Sequence, residues 1–158
     1  MPRTSRLQAE LLQRKPFRSP QQEAGIALLR TADLVRRRLA RVVEPKGITV
    51  QQYNVLRILR GAGQQGMPTL DIARRMIERT PGITRLLDRI EAKRLVRRHR
   101  CPTDRRQVLC EITAEGLKLL EKLEEPVARA DESALQKLRV VDLERLLLLL
   151  EAVRGQEE

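Results

Sequence analysis

The feature that most constrains the fold of this chain is a change of hydrophobic period at Arg94. In the preceding segment 80–94, apolar residues recur at the spacing of an amphipathic helix: Ile83, Leu86, Leu87 and Ile90. The following segments 95–100 and 107–112 lose this helical spacing and are interpreted as two short strands. Between them, residues 101–106 include Pro and Asp, which are typical of a tight turn. A helix followed at once by a β-hairpin is therefore expected in the middle of the chain.

Helix-start signals place further helices around this unit. Four Ser or Thr residues stand where helix N-caps are expected: Ser19, Thr49, Thr69 and Thr80. The first two are followed three residues later by Gln, as in a capping box, and the last is followed by Pro at the first helical position. The first helix is expected to end at Pro45 and Gly47, and the second at the Gly-rich loop 61–66. The short helix after Thr69 is predicted to turn four apolar residues inward: Leu70, Ile72, Ala73 and Met76.

The C-terminal third is expected to form two more helices. Thr113 is predicted to cap a long helix that runs to about Leu138, and a last helix is predicted over about 140–154. The last helix contains five consecutive leucines, 146–150, which lie on all of its sides, so more than one side must be covered. We therefore expect the leucine run to serve both the core and a dimer interface.

The order of these elements predicts the fold class. A short helix, a turn, a second helix and a tight basic hairpin form the pattern of a winged helix-turn-helix. The expected fold is mainly α with a small β-hairpin, in which a winged helix-turn-helix lobe is joined to a helical dimerisation lobe. At 158 residues the chain is long enough for one domain with its own core.

The charge of the chain is lopsided and favours a polyanionic partner. The net charge is +11, and residues 74–106 alone carry 12 basic and 4 acidic side chains, whereas the residues from 107 onward carry 7 basic and 12 acidic. This balance favours nucleic acid or an anionic membrane surface. The aromatic residues are Phe17 and Tyr53 alone, which argues against single-strand binders that stack bases on aromatic rings. The run Arg36–Arg38 is best interpreted as a solvated helix face, with contact to DNA or to an acidic effector as the alternatives.

Several classes of protein are disfavoured by what the sequence lacks. No apolar run reaches the roughly 18 residues of a membrane span, and the N-terminus lacks a signal-peptide stretch, so a cytoplasmic location with free thiols is expected. Cys110 alternates with Val108 and Ile112 and is predicted to face the core, while a redox role for an exposed Cys101 is the less favoured alternative. His99 and Cys101 are too few for a zinc site. No catalytic triad, phosphate loop or carboxylate pair indicates an enzyme or a cofactor.

The segment 80–94 and the hairpin tip both have the chemistry of DNA contacts. On a helical wheel, the face opposite the apolar stripe holds five residues: Pro81, Thr84, Arg85, Asp88 and Ala92. In a major groove, Arg can bond bidentately to guanine and Thr can contact a thymine methyl, while a helix N-terminus attracts phosphate. At the tip, Arg105 and Arg106 suit the narrow minor groove of A/T-rich DNA. Asp104 beside them is unfavourable for DNA contact unless it orients an arginine through a salt bridge.

Four segments together resemble the MarR/SlyA family of regulators: 48–56, 84–98, 102–106 and 112–116. They occur in the family's order, and with the flanking helices the resemblance covers about residues 20–154. The resemblance implies a homodimer held by interleaved N- and C-terminal helices. It also implies binding to a pseudo-palindromic double-stranded DNA operator, as a repressor that a small molecule or oxidation releases.

The resemblance also divides the chain and shows where it departs from the family. It implies a basic N-terminal extension at 1–18 and a single MarR-like domain at 19–158. Within that domain, the DNA-binding lobe is expected at about 48–112 and the dimerisation helices at about 19–45 and 113–154. Arg94 stands where the family commonly has Gly, so that turn must accommodate a side chain. The first helix lacks the reactive Cys of the members that sense organic hydroperoxides.

Carried over residue by residue, the resemblance assigns the DNA contacts. Arg106 would be the minor-groove arginine of the wing, and Arg89 and Asp104 would brace the wing. The recognition helix would use Thr80, Pro81, Gly82, Thr84 and Arg85. The full predicted set of DNA-binding residues is Thr69, Thr80, Pro81, Gly82, Thr84, Arg85, Arg89, Asp104, Arg105 and Arg106. Tyr53 is predicted either to line an effector pocket between the lobes or to pack in the core.

These observations predict a sequence-specific double-stranded DNA-binding transcriptional regulator, a homodimeric repressor released by a small-molecule effector. The alternative is a basic architectural DNA- or RNA-binding protein without sequence preference. The two differ in one measurable quantity, because the alternative would bind operator-like and random duplexes equally well.

Overall fold

The computed structural model describes residues 5–104 and 106–155 and is mainly helical, with one small sheet. Within this part of the chain the elements are α1 (Arg6–Glu10), α2 (Pro20–Val43), α3 (Val50–Ala62), β1 (Met67–Pro68), α4 (Thr69–Arg75), α5 (Ile83–Ala92), β2 (Val96–Arg100), β3 (Val108–Ile112), α6 (Ala114–Leu135) and α7 (Val140–Arg154). Short 3₁₀ turns follow α2 at Glu44–Lys46 and α3 at Gly63–Gln65. The predicted fold class is confirmed.

Three of the predicted helix starts are confirmed, each with its side-chain cap. The Ser19 hydroxyl accepts a hydrogen bond from the Gln22 amide at 3.2 Å, where α2 begins. At the start of α3, Thr49 and Gln52 form the reciprocal capping box, with both bonds at 3.2 Å. The Thr113 hydroxyl accepts from the amide three residues later at 3.1 Å and begins α6. Polar caps therefore set the N-terminal boundaries of three of the four longest helices of the described chain.

The prediction that Thr69 caps α4 is wrong. Thr69 is the first residue of the helix and Pro68 is its N-cap, because β1 leads into α4 without an intervening loop. The inner face of α4 also differs from the prediction, since Leu70 is 70% exposed while Ile72 is fully buried. The two residues lie two positions apart, about 200° around a helix, so both cannot face the core.

The three strands form one antiparallel sheet in the order β1-β3-β2. β2 and β3 are the predicted hairpin, paired in register from Val96↔Ile112 to Arg100↔Val108. β1 was not predicted, because two residues are too few to show an alternating pattern. It pairs with the other edge of β3 and so joins the start of α4 to the hairpin.

The core lies where the end of α2, the helices α3, α4 and α5, and the first half of α6 meet the sheet. Its largest fully buried side chains are Leu56, Leu59, Ile72, Leu87, Ile90, Leu123, Val43, Val55, Val96 and Cys110. α6 approaches the hairpin closely at Gly116, where an added Cβ would clash with the Leu95 carbonyl oxygen and come within 2.7 Å of Ile112 Cγ1. Because only glycine permits this approach, the first turn of α6 is held directly behind the hairpin.

The remaining helices leave much apolar surface uncovered. α2 runs along α6, where Arg38 Nη1 donates a hydrogen bond to Ser133 Oγ at 3.2 Å. Val43 is the one buried residue of α2. The structure describes all of α7, and no residue of that helix is buried. No helix within residues 5–104 and 106–155 is long and apolar enough to cross a membrane.

Candidate nucleic-acid interface

α5 separates an apolar face from a polar face, as its sequence predicts. Leu87 and Ile90 are fully buried, and Leu86 is 8% exposed. The opposite side, which we call the reading face, consists of four exposed residues: Thr84, Arg85, Asp88 and Arg89. The apolar stripe thus fixes the rotation of α5 about its own axis, and this rotation leaves the reading face open to solvent.

The N-terminus of α5 lies two residues later than predicted, and Thr80 does not cap it. The Thr80 hydroxyl donates to the Glu78 carbonyl oxygen at 3.0 Å within the preceding turn. Gly82 is the N-cap and has a φ of +82°, a left-handed conformation that cannot be part of a right-handed helix. Pro81 and Gly82 therefore form an exposed turn, and α5 begins at Ile83 with no side-chain cap. Its first amide groups are available to a phosphate oxygen.

A buried amide side chain holds the segment before α5 in place. Asn54, in the middle of α3, is 8% exposed, and its Oδ1 accepts a hydrogen bond from the Ile77 amide at 3.0 Å. This bond fixes the backbone between α4 and α5 against α3. Sequence analysis did not single out Asn54, although a polar residue between Tyr53 and Val55 on a buried helix face is a recognisable signal.

The C-terminus of α5 is closed by Arg94 in an unusual conformation. Its φ is +60°, so the position where the family commonly has Gly does accommodate a side chain. The Arg94 amide donates to the Glu91 carbonyl oxygen at 2.7 Å, and the Leu95 amide donates to the Ile90 carbonyl oxygen at 3.3 Å. This pair of bonds is a Schellman motif, with apolar contact between the buried Leu95 and Ile90. The motif turns the chain directly from α5 into β2.

An ion-pair network that the sequence did not indicate joins α5 to β2. The Arg98 guanidinium contacts both acidic residues of α5, with Nη2 at 2.6 Å from Asp88 Oδ1 and 2.6 Å from Glu91 Oε2. The hydrogen bonds to Glu91, and then those to Asp88, raise the pKa of Arg98 above its ordinary value. Arg85 and Arg89, in contrast, form no salt bridge with any residue in 5–104 or 106–155. The positive charge of the reading face is therefore uncompensated at Arg85 and Arg89.

The tip of the wing is organised by Asp104. Its Oδ1 accepts a hydrogen bond from the Arg106 amide, and its carbonyl oxygen accepts one from the Gln107 amide, both at 3.0 Å. Asp104 thus shapes the turn through the backbone, whereas sequence analysis allowed it a salt bridge to an arginine side chain. No hydrogen bond joins Asp104 to Arg89 in the described chain, and bracing of the wing by Arg89 stays a prediction. Arg106 is exposed, and Arg105 lies outside the described residues.

The two thiols occupy different environments. Cys110 is fully buried, which confirms that it faces the core, and burial raises its pKa. Cys101 is half-buried at the base of the wing, with its Sγ 3.2 Å from Thr103 Oγ1. Hydrogen bonding by the Thr103 side chain, followed by backbone hydrogen bonds from Thr103 and Asp104, lowers the pKa of Cys101. The two thiols should therefore differ in reactivity.

Tyr53, on α3, belongs to the hydrophobic core. It is 7% exposed, burial raises its pKa, and the Arg57 guanidinium carbon lies 5.9 Å from the centre of its ring. A cleft of about 430 Å³ lies nearby, lined by Arg36, Arg37, Ala40, Glu44, Thr49, Val50, Gln51 and Glu78. Tyr53 does not line this cleft, so its contact with an effector stays a prediction.

Comparison with known proteins identifies the family. A family model described as MarR family matches residues 46–107. The HTH-type transcriptional regulator YhbI of Bacillus subtilis is 31% identical over 105 residues, which cover 66% of this chain and 67% of that protein. A MarR transcription factor from Planctomyces limnophilus is 42% identical in a crystal structure that superimposes with a TM-score of 0.66, over 87% of this chain and 99% of that one.

A third comparison concerns the fold. A mutant MarR from E. coli, crystallised with operator DNA, is 24% identical and superimposes with a TM-score of 0.76, over 94% of this chain and 99% of that one. At this identity the likeness is evidence of a shared winged helix fold. The more similar relatives, with the family model, show that the chain belongs to the MarR family of DNA-binding transcriptional regulators.

Proposed function

We propose that this protein is a homodimeric repressor that recognises a specific double-stranded operator and is released from it by a small-molecule effector. The observation that carries the proposal is the reading face of α5. It is exposed, polar and rigidly oriented by a buried apolar stripe on the opposite side of the same helix. These are the requirements for placing side chains against base edges in a major groove.

The residues of this surface suit distinct parts of a duplex. Arg85 can donate two hydrogen bonds to guanine, and Thr84 can contact a thymine methyl group. The uncapped amides at the start of α5 can bind a phosphate. Arg106, on the exposed tip of the wing, suits the minor groove, and the exposed Arg75 adds positive charge at the end of α4.

The dimer is supported by apolar surface that one chain leaves uncovered. α7 has no buried residue, although six of its apolar side chains are more than half exposed: Val140, Val141, Leu147, Leu148, Leu149 and Val153. Leu29 of α2 is 75% exposed as well. Exposed apolar surface of this extent, on helices outside the core, indicates an interaction between chains. Two copies related by a two-fold axis would present two reading faces to a pseudo-palindromic site.

Release by an effector requires a site that communicates with both lobes. The cleft of about 430 Å³ has this position, since Arg36 and Arg37 come from α2 whereas Val50 and Gln51 come from the first turn of α3. A ligand bound there would contact the dimerisation lobe and the lobe that carries α5. If the lobes are arranged differently in the DNA-bound and the released protein, the ligand's difference in affinity for these two arrangements would set the extent of release.

The proposal is tested by selecting bound sequences from a pool of random duplexes. We expect an enriched pseudo-palindrome whose affinity exceeds that of random duplex by at least roughly a thousandfold, with a steep dependence on salt. A reporter gene placed behind the selected operator should then be expressed less when the protein is present. Equal binding of all duplexes would instead identify an architectural protein, and increased reporter expression would identify an activator.

A further inference from the structure

Arg98 is the one charged side chain of the described hairpin that contacts the helix carrying the reading face. Its backbone amide donates to Glu91 Oε1 and its Nε to Glu91 Oε2, both at 2.9 Å. Its Nη2 donates to Glu91 Oε2 and to Asp88 Oδ1, both at 2.6 Å. Four charge-assisted bonds therefore tie the second half of α5 to the middle of β2.

The carboxylates that accept these bonds, Asp88 and Glu91, also lie at the edge of the reading face. Asp88 belongs to the reading face and lies between Thr84 and Arg85 around the helix, one turn further along. Its side chain is 51% exposed, and that of Glu91 is 36% exposed. Two carboxylates at this edge of the reading face would repel DNA phosphates if nothing neutralised them. The guanidinium of Arg98, with 24% of its side chain exposed, lies against both of them.

We propose that Arg98 is a positioning residue for operator recognition, which holds the tilt of α5 against the wing and neutralises the acidic edge of the reading face. This inference rests on the proposed DNA-binding function. Arg98 itself need not contact DNA, because its donors are directed at Glu91 and Asp88. The two roles are separable, since a lysine retains the charge but lacks the planar fork that bonds both carboxylates at once.

The neighbouring Arg97 offers a matched control. It lies on the opposite face of β2, where it pairs with Glu111 at 2.6 Å and is 72% exposed. Arg97→Gln and Arg98→Gln remove the same charge from adjacent positions of one strand, but only the second uncovers the carboxylates of α5. Differences between these two variants therefore report the network rather than the net charge.

The test measures affinity for the selected operator and for a random duplex at several salt concentrations, at temperatures where circular dichroism shows each variant folded. We expect Arg98→Lys to lower the operator-to-random ratio roughly tenfold while random-duplex affinity changes less than about threefold. Arg98→Gln should weaken binding to both duplexes more than Arg97→Gln does. Adding Asp88→Asn and Glu91→Gln to Arg98→Gln should restore random-duplex affinity but not the ratio.

Each role has its own refuting result. A wild-type ratio in Arg98→Lys would overturn the positioning role, and equal behaviour of Arg98→Gln and Arg97→Gln on both duplexes would overturn the neutralising role. If Asp88→Asn alone abolished preference at one cytosine, Asp88 would read a base directly and the inference would fail. If the wild-type ratio were near one, the proposed function would fail, while the random-duplex comparison would still decide whether Arg98 neutralises α5.

Discussion

At the scale of single residues, Arg94 occupies a left-handed backbone position that favours glycine. A non-glycine residue with a φ of +60° is strained by contact between its Cβ and the backbone, and glycine avoids that contact. The surrounding Schellman bonds and the Thr113 hydroxyl, which donates to the Arg94 carbonyl oxygen at 2.8 Å, keep the conformation in place. The strain is therefore tolerated rather than relieved.

We expect Arg94→Gly to raise the free energy of unfolding by about 0.5–1 kcal/mol, because the relief of left-handed strain exceeds the added entropy of the unfolded chain. Urea denaturation followed by circular dichroism measures the change. The control is Ala92→Gly, two residues earlier in helical backbone, which should lower stability by about 0.5–1 kcal/mol. A destabilised Arg94→Gly protein would show that the arginine side chain stabilises the turn by contacts that outweigh its strain.

The two thiols give a second prediction at this scale. The pKa of Cys101 is lowered, so at a given pH a larger fraction of Cys101 is thiolate than of an ordinary thiol. Burial raises the pKa of Cys110, so its thiolate fraction is smaller. We expect iodoacetamide to modify Cys101 first, at a rate that rises with pH and levels off below the pH expected for an ordinary thiol. Mass spectrometry of timed samples measures this. Cys101→Ser should abolish the fast reaction, and fast modification of Cys110 would contradict the burial of β3.

At the scale of elements, the sequence predicted helices well and their junctions poorly. The capped starts at Ser19, Thr49 and Thr113 are local, because each side chain bonds an amide three residues away. Thr69 and Thr80 have the same local signal but do not cap, since pairing of β1 and the left-handed Gly82 determine where α4 and α5 begin. Such junctions depend on partners distant in sequence.

The interface shows the same division. The exposure of Thr84 and Arg85 follows from helical periodicity and was predictable. The Arg98 network was not, because it depends on which face of β2 turns toward α5, and a five-residue strand with three basic residues and one histidine carries no clear alternation. Asn54 was missed for a related reason, since its partner is a backbone amide in an irregular segment.

The two elements proposed to contact DNA should respond differently to loss of an arginine. Arg85 projects from the reading face, so Arg85→Ala should flatten selectivity at one or two positions of each half-site, by about 1–3 kcal/mol of discrimination. Arg106 is on the wing tip, so Arg106→Ala should weaken operator and random duplex more evenly and reduce the salt slope by about one per contact. It should also reduce any preference for flanking A/T tracts.

Matched operator and scrambled duplexes, titrated with both variants at several salt concentrations, measure these effects. Arg79, exposed in the turn before α5, supplies a control, because Arg79→Ala removes the same charge without altering the reading face or the wing tip. If Arg85→Ala retained the wild-type operator-to-random ratio, α5 would not be the element that reads sequence.

At the scale of the whole molecule, charge and apolar surface are segregated along the chain. The basic surplus is densest in residues 74–106, which include the reading face and the wing, whereas the residues from 107 onward are acidic overall. Three consecutive exposed leucines, Leu147, Leu148 and Leu149, are in the acidic part, on α7. The main candidate surfaces for an anionic polymer and for a second copy of the chain therefore belong to different segments.

Dimerisation through α7 gives the last prediction. Leu148 is 66% exposed in one chain, and burying such a leucine stabilises an interface by about 1.5–3 kcal/mol. We expect the protein to sediment as a dimer at micromolar concentration. Leu148→Glu should raise the dissociation constant of the dimer roughly tenfold or more, because a charge would be buried without a partner. Arg145→Glu places an acidic side chain at an exposed polar position of the same helix and should have a smaller effect.

Operator binding should follow the dimer. A monomer contacts one half-site, so Leu148→Glu should weaken operator affinity more than affinity for an isolated half-site. The comparison separates loss of assembly from damage to α5, since only the latter would weaken half-site binding equally. A folded wild-type monomer at micromolar concentration would contradict the dimer, and it would leave the exposed leucines of α7 to be covered by some other partner.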